Sequence, residues 1–233
     1  MSPPDYNKAF HDGVIIKVDT GAVAKHCTLH RRPLGELVVT SGRIVVRDPL
    51  VVPDMPPLAD PAEPGRYPVV LSVAELPNGD QRVACALLQL SEHLAVRWEM
   101  ATRHGQTLSS LEPGYIFGYP VDAGTGCFMD ADTSRALIAR PIHMGNGYVE
   151  SDELLDTLNR TYLPTWCWAN LILDDASGAN VIAFSSGWGD GFYPSYWGYD
   201  AASQRVALVA DFGVLGESWE EGGARQLSLF DEK

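Results

Sequence analysis

A chain of 233 residues, 45% hydrophobic and 20% charged, can bury a sizeable core and has the composition of neither a disordered nor a fibrous protein. Thirty acidic residues against 17 basic ones give a net charge of -13, which argues against unaided binding to a phosphate backbone. There is no run of about 18 apolar residues to span a membrane and no secretory signature in Met1-Ser2-Pro3-Pro4-Asp5. Cys27, Cys85, Cys127 and Cys167 are dispersed without a Cys-x-x-Cys pair, so the expectation is a cytoplasmic protein with reduced thiols.

Gly13 to Val18 reads as a short strand. Leu37 to Val39 and Ile44 to Val46 flank Thr40-Ser41-Gly42-Arg43, which predicts a tight hairpin; Asp48-Pro49 then breaks the pattern. Pro53, Pro56, Pro57, Pro61 and Pro64 predict an extended surface connection, either a stiff linker or a strap or lid. Tyr67 to Glu75 and Val83 to Leu90 flank Asn78-Gly79, a strong hairpin signal, with Val69, Leu71 and Val73 on one face. Ala95 to Met100 is a candidate third strand, and Ile116 to Val121 another. Asp132 to Ala139 reads as a short helix. Ser151 is the expected cap of a second helix, Asp152 to Tyr162, with Leu154, Leu155 and Leu158 on its apolar face and Pro164 beyond its end.

Trp168 to Leu173 and Asn180 to Phe184 flank a second hairpin turn, Asp174-Asp175-Ala176-Ser177-Gly178, and Phe192 to Tyr199 and Arg205 to Leu215 follow. The predicted fold class is α+β but mostly β: sandwich-like antiparallel sheets with two short helices. A single domain over 1–215 precedes a flexible tail over 216–233, which opens with a Gly/Glu-rich linker.

Two segments carry the clearest candidate chemistry. They are Tyr119-Pro120-Val121-Asp122-Ala123-Gly124-Thr125-Gly126-Cys127-Phe128-Met129-Asp130 and the stretch from Ser185 to Gly198 around Gly187-Trp188-Gly189-Asp190-Gly191. In each, glycines bracket an aspartate at a strand end. Such aspartates either close turns on backbone amides or, if Asp122, Asp130 and Asp190 converge, hold a divalent metal such as Mg²⁺ or Ca²⁺. The aromatics Trp188, Tyr193, Tyr196 and Trp197 either fill core or wall a small-molecule site. Other pairings carry weaker signals. Cys127 with His143 would make a thiol–imidazole pair, but the spacing is unspecific. His26 and His30 have a helical ligand spacing without the acid of a zinc-protease motif. Ser186 is not in a Gly-x-Ser-x-Gly elbow, and Gly124-x-Gly126 lacks the third glycine of a phosphate loop.

Several segments together resemble the bacterial domain of unknown function 4241: Leu34-Gly35-Glu36-Leu37 through Asp48-Pro49-Leu50, Pro64-Gly65-Arg66-Tyr67-Pro68-Val69, Val121 to Gly126, Ser186 to Gly191, and Ala210-Asp211-Phe212. The resemblance covers about residues 34 to 215. It implies no activity and transfers no catalytic residue.

Gln226-Leu227-Ser228-Leu229-Phe230 matches at every position the Gln-Leu-Ser/Asp-Leu-Phe consensus of peptides that dock on the bacterial DNA sliding clamp. By that resemblance Leu229 and Phe230 fill the deep part of a hydrophobic cleft, Leu227 a shallower part, and the Gln226 amide hydrogen-bonds at the rim. The competing expectation is that Leu227, Leu229 and Phe230 pack as a last strand on the body. Three functions follow: a clamp-binding accessory or competitor in replication or repair, a metal-dependent enzyme built on Asp122, Asp130 and Asp190, or a small-molecule binder with aromatic walls.

Overall fold

The computed structural model describes residues 3–19, 24–51, 54–140, 143–145, 148–216 and 219–221. In chain order the strands and helices are β1 (Ile15–Asp19), β2 (Ala24–Val39), β3 (Ile44–Arg47), β4 (Gly65–Glu75), β5 (Gln81–Gln89), β6 (Arg97–Met100), β7 (Tyr119–Val121), β8 (Thr125–Asp130), α1 (Ala131–Ile138), β9 (His143–Gly145), β10 (Tyr148–Ser151), α2 (Glu153–Arg160), β11 (Trp168–Asp174), β12 (Ala179–Ser185), β13 (Gly191–Tyr193), β14 (Ser195–Tyr199), β15 (Arg205–Asp211) and β16 (Trp219–Glu221). Short 3-10 turns occupy Tyr6–Phe10 and Leu108–Ser110.

Eight strands form one antiparallel sheet in the order β16-β1-β2-β4-β5-β15-β14-β6. Four form a second, β11-β12-β8-β3, and two-stranded ribbons join β13 to β7 and β10 to β9. The period-two alternation of side chains sorts the smaller sheet's residues. Ile44, Val46, Phe128, Ile182 and Phe184 join the core shared with the large sheet. Their neighbours Val45, Cys127, Met129, Val181 and Ala183 turn the other way, where Ala131 of α1 and Leu154 and Leu158 of α2 cover them. The layers therefore run large sheet, small sheet, helices. Residues 69–74 of β4 are all buried, because the first 3-10 turn covers the second face of the large sheet with Tyr6, Ala9 and Phe10. The mostly-β α+β sandwich with two short helices is thus the observed architecture.

Several local expectations change. Thr40 to Arg43 does not close a hairpin: β2 pairs with β4 in the large sheet, whereas β3 pairs with β8 in the small one. The cause is Asp130, whose carboxylate accepts from Thr40 N at 3.1 Å, from Ser41 N at 2.9 Å and from both hydroxyls, so the turn carries the chain between layers. Gly42 permits the crossing with φ 75°; a Cβ there would lie 2.6 Å from the Ala62 carbonyl oxygen. β6 pairs with β14 rather than extending the β4–β5 hairpin. The stretch 192–199 splits at Pro194 into β13 and β14, which serve different sheets.

Asp152, not Ser151, caps α2, accepting from Leu154 N at 2.7 Å and Leu155 N at 3.2 Å. Leu154 and Leu158 are buried, but Leu155 faces solvent. Within the stretch read as a linker, residues 219–221 form β16 on the edge strand β1. The proline-rich connection is a pinned strap: Leu58 N donates to Ile44 O, Ala59 N to Thr102 O, and Ala62 N to Gly42 O.

Candidate functional site

The two glycine–aspartate segments meet. β7 and β13 pair antiparallel, Val121 against Gly191, so the loop leaving β7 lies beside the loop entering β13. Ser186 N donates to Gly124 O at 3.0 Å, and Gly124 N donates to Asp190 Oδ1 at 3.0 Å. Gly187, at φ 61°, is required for the approach, since a Cβ there would sit 2.8 Å from both Phe212 Cβ and Val214 Cγ2. Ser186 Oγ and Tyr193 Oη each donate to Gly189 O at 2.8 Å. Burial, with help from the Asp190 charge, raises the Tyr193 pKa, so the phenol stays a neutral donor.

A buried carboxylate holds this loop pair from below. Asp48 is fully buried; its Oδ2 accepts from Asp122 N at 3.0 Å and Ala123 N at 2.8 Å, while Oδ1 accepts from Leu50 N at 2.8 Å and Val51 N at 3.3 Å. Four amides thus satisfy one buried charge. Beside it, Arg103 is 7% exposed and donates to three carbonyls: Pro56 at 3.0 Å, Gly118 at 2.8 Å and Val46 at 3.0 Å. That fork ties the strap, β3 and the approach to β7 into one unit. Above the loops stands Trp188, 55% exposed, with the Arg82 guanidinium 5.2 Å from its ring centroid. Arg82 is itself held by Asp80 at 2.9 Å.

The aspartates singled out in the sequence have separate places. Asp122 and Asp190 are exposed on the neighbouring loops, and Asp190 is engaged with the Gly124 amide. Asp130 lies at the far end of β8, roughly 16 Å of extended strand away, and is fully buried. Its carboxylate serves the 40–41 turn and caps α1 through Asp132 N at 2.8 Å. Among the described residues no group of three or more His, Cys, Asp or Glu is arranged to hold a metal ion.

The aromatic residues also disperse: Tyr193 packs on Phe212, Tyr196 on Tyr6, and Trp197 near Arg205, whereas Trp188 is exposed beside Arg82. Tyr193 and Trp197 belong to the core. Cys127 is a core thiol that donates to the Arg47 carbonyl, and burial pushes its pKa up to about 12, so it has no nucleophilic character at neutral pH. His143 lies on β9, and its side chain is outside the described groups. His26 and His30 are on β2, where a four-residue spacing is roughly 13 Å rather than one helical turn. His30 Nε2 instead faces Glu75 Oε2 at 2.9 Å. Gln226, Leu227, Ser228, Leu229 and Phe230 lie outside the described residues.

Three features escaped the sequence reading. Asp48 had a signal, because an aspartate before a break commonly accepts amides two and three residues on. Arg103 had none. The third is the contact of Tyr6 Oη with Asp211 Oδ2 at 2.7 Å, which joins residues 205 apart in the chain. All four cysteines are free thiols. No helix among the described residues is long and apolar enough to cross a membrane.

Searches of curated protein sequences and of solved structures found no match. The model of the family described as "Protein of unknown function (DUF4241)" matches residues 37–210, well over half of the chain and spanning both glycine–aspartate loops, and the chain belongs to that family.

Proposed function

We propose that this protein docks on the bacterial DNA sliding clamp through Gln226-Leu227-Ser228-Leu229-Phe230, as an accessory factor or competitor in replication or repair. The observation that carries the reading is the match of this pentapeptide, at all five positions, to clamp-docking peptides. Its chemistry suits a hydrophobic cleft with a polar rim. Burying Leu229 and Phe230 is worth about 1.5–3 kcal/mol each. Ordering the peptide takes back part of that, leaving an affinity on the order of micromolar. The charge of the whole chain supports a protein-borne route to DNA: at -13 it is repelled by phosphate, so a docking peptide supplies a localisation that electrostatics oppose.

The test is retention of the full chain on immobilised purified clamp, with Leu229→Ala plus Phe230→Ala as the control. Retention of the native chain and loss of the double variant supports docking. Equal retention of both, or of neither, refutes it.

A further inference from the structure

The large sheet turns polar in one row beneath the first 3-10 turn. Register places Ser72 of β4 opposite Cys85 of β5, and Cys85 opposite Asp211 of β15. Directly opposed side chains share a face, so the three form a line across three strands. Tyr6 identifies the face. Its hydroxyl donates to Asp211 Oδ2 at 2.7 Å, and burial first, then Asp211, Tyr196 and Cys85, keep that phenol protonated. The neighbouring row, Leu71, Ala86 and Ala210, points the other way and is wholly apolar. Ser72 and Cys85 are buried, and the Ser72 Oγ has no hydrogen-bond partner among the described residues. Burying a hydroxyl without a partner is unfavourable, so this row is poorly suited to permanent closure.

The cover over the row is fastened in a way that lets it leave. Among the described residues, the backbone bonds of the turn stay within it: Lys8 N donates to Asp5 O and His11 N to Lys8 O. Side chains make the attachment. Tyr6 bonds Asp211 and meets the Trp98 ring edge-on at 5.2 Å, Asn7 Nδ2 donates to Ala95 O at 2.7 Å, and Ala9 and Phe10 are buried. The chain joins the sheet just beyond, where Asp12 Oδ1 accepts from Arg31 N at 2.8 Å and Gly13 N donates to Leu29 O at 2.8 Å. Gly13 is exposed at φ 75°, and a Cβ there would meet nothing within 4 Å. A hollow of about 170 Å³ between the turn, the 91–95 loop and the ends of β5 and β15 leaves the rim unsealed. A segment held through side chains, beside a left-handed glycine in open space, can open without the rest of the domain.

We propose that Tyr6–Phe10 is a lid that swings as a unit about His11 to Gly13, is latched by Tyr6 on Asp211, and gates access to the Ser72–Cys85–Asp211 row. The lid is independent of the clamp-docking peptide.

The experiment is pulsed iodoacetamide labelling of the full chain in a urea series below the unfolding transition, with Cys85 and Cys127 quantified separately by peptide mass. Cys127 packs in the core between the small sheet and the helices, away from the turn, and reports unfolding of the whole domain. Without urea, Cys85 is expected to label at least about tenfold faster than Cys127. Its rate should stay nearly flat with urea while that of Cys127 climbs steeply, because a local opening exposes little surface. Tyr6→Phe, which keeps the ring and removes the latch hydroxyl, should speed Cys85 labelling by about tenfold. Equal rates and equal urea dependence for the two thiols, or a Cys85 rate unmoved by Tyr6→Phe, would each overturn the proposal.

Discussion

Asp48→Asn removes one charge and almost no volume, which makes it a clean probe of the loop scaffold. The native carboxylate accepts four amides, two on each oxygen, in a site closed to water. Asparagine keeps one oxygen, so whichever way the amide turns, two backbone N–H groups face an NH₂ donor. Hydrogen bonds to charged groups contribute about 1.5–3 kcal/mol each, and the two that remain lose their charge. The expected loss is about 3–5 kcal/mol, a large part of the roughly 5–15 kcal/mol that holds a domain folded. Urea unfolding measures the loss. Hydrogen exchange tells which pair suffers, through faster exchange of either Leu50 and Val51 or Asp122 and Ala123. A destabilisation under about 1 kcal/mol, with all four amides still protected, would refute the claim that this carboxylate organises the loops.

Three further outcomes follow from the same contacts. Burial raises the Asp211 pKa above the ordinary carboxylate range even though Tyr6 Oη and Gly213 N donate to it. The folded state then binds that proton more tightly than the unfolded one, so the associated stability is full below about pH 3.9 and lost as pH rises through the folded-state pKa. Asp211→Asn, neutral throughout, should therefore gain on the native chain in urea midpoints taken from pH 4 upward; a gap independent of pH would contradict this. Arg103→Gln strips a charged fork from the carbonyls of Pro56, Gly118 and Val46 and should cost about 3–5 kcal/mol, with faster proteolysis between Asp54 and Leu58. Unchanged cleavage there would show that the strap does not depend on it. Asp152→Ala should lower stability by about 1 kcal/mol through loss of the α2 cap, while Ser151→Ala changes little; thermal melts showing the reverse order would restore Ser151 as the cap.

The sequence carried the local signals well and the long-range ones poorly. Asn78-Gly79 marked the β4–β5 hairpin because its turn is closed locally, Gly79 N donating to Leu76 O and Leu76 N to Asp80 O, each at 2.8 Å, with Gly79 at φ 81°. Asp174 to Gly178 likewise joined β11 to β12. The failures lie where a distant group decides. Thr40 to Arg43 resembles a hairpin turn until Asp130, about ninety residues away, draws its amides and sends β3 to the other sheet. β2 runs sixteen residues through Arg31, Arg32, Pro33 and Gly35, a polar, proline-bearing stretch that hides a strand. Its pairing with β4 shifts register between Pro33 and Gly35 and continues beyond. Of the candidate site, the shared glycine–aspartate pattern marked the 122–124 and 186–190 segments as turns worth attention, but that they lie side by side came from the β7–β13 pairing. Of Asp48 only the local half was legible, its bonds from Leu50 N and Val51 N; its bonds from Asp122 N and Ala123 N, and all three of Arg103, depend on distant backbone groups that no residue pattern specifies.

The central claim is that the Gln226–Phe230 peptide confers affinity for the sliding clamp, and titration of the purified bacterial clamp with the full chain tests it most directly. The account predicts a dissociation constant on the order of micromolar, and with Leu229→Ala plus Phe230→Ala a loss of at least about a hundredfold. A clamp that gives no binding signal with the native chain, or that binds the double variant equally well, would contradict it.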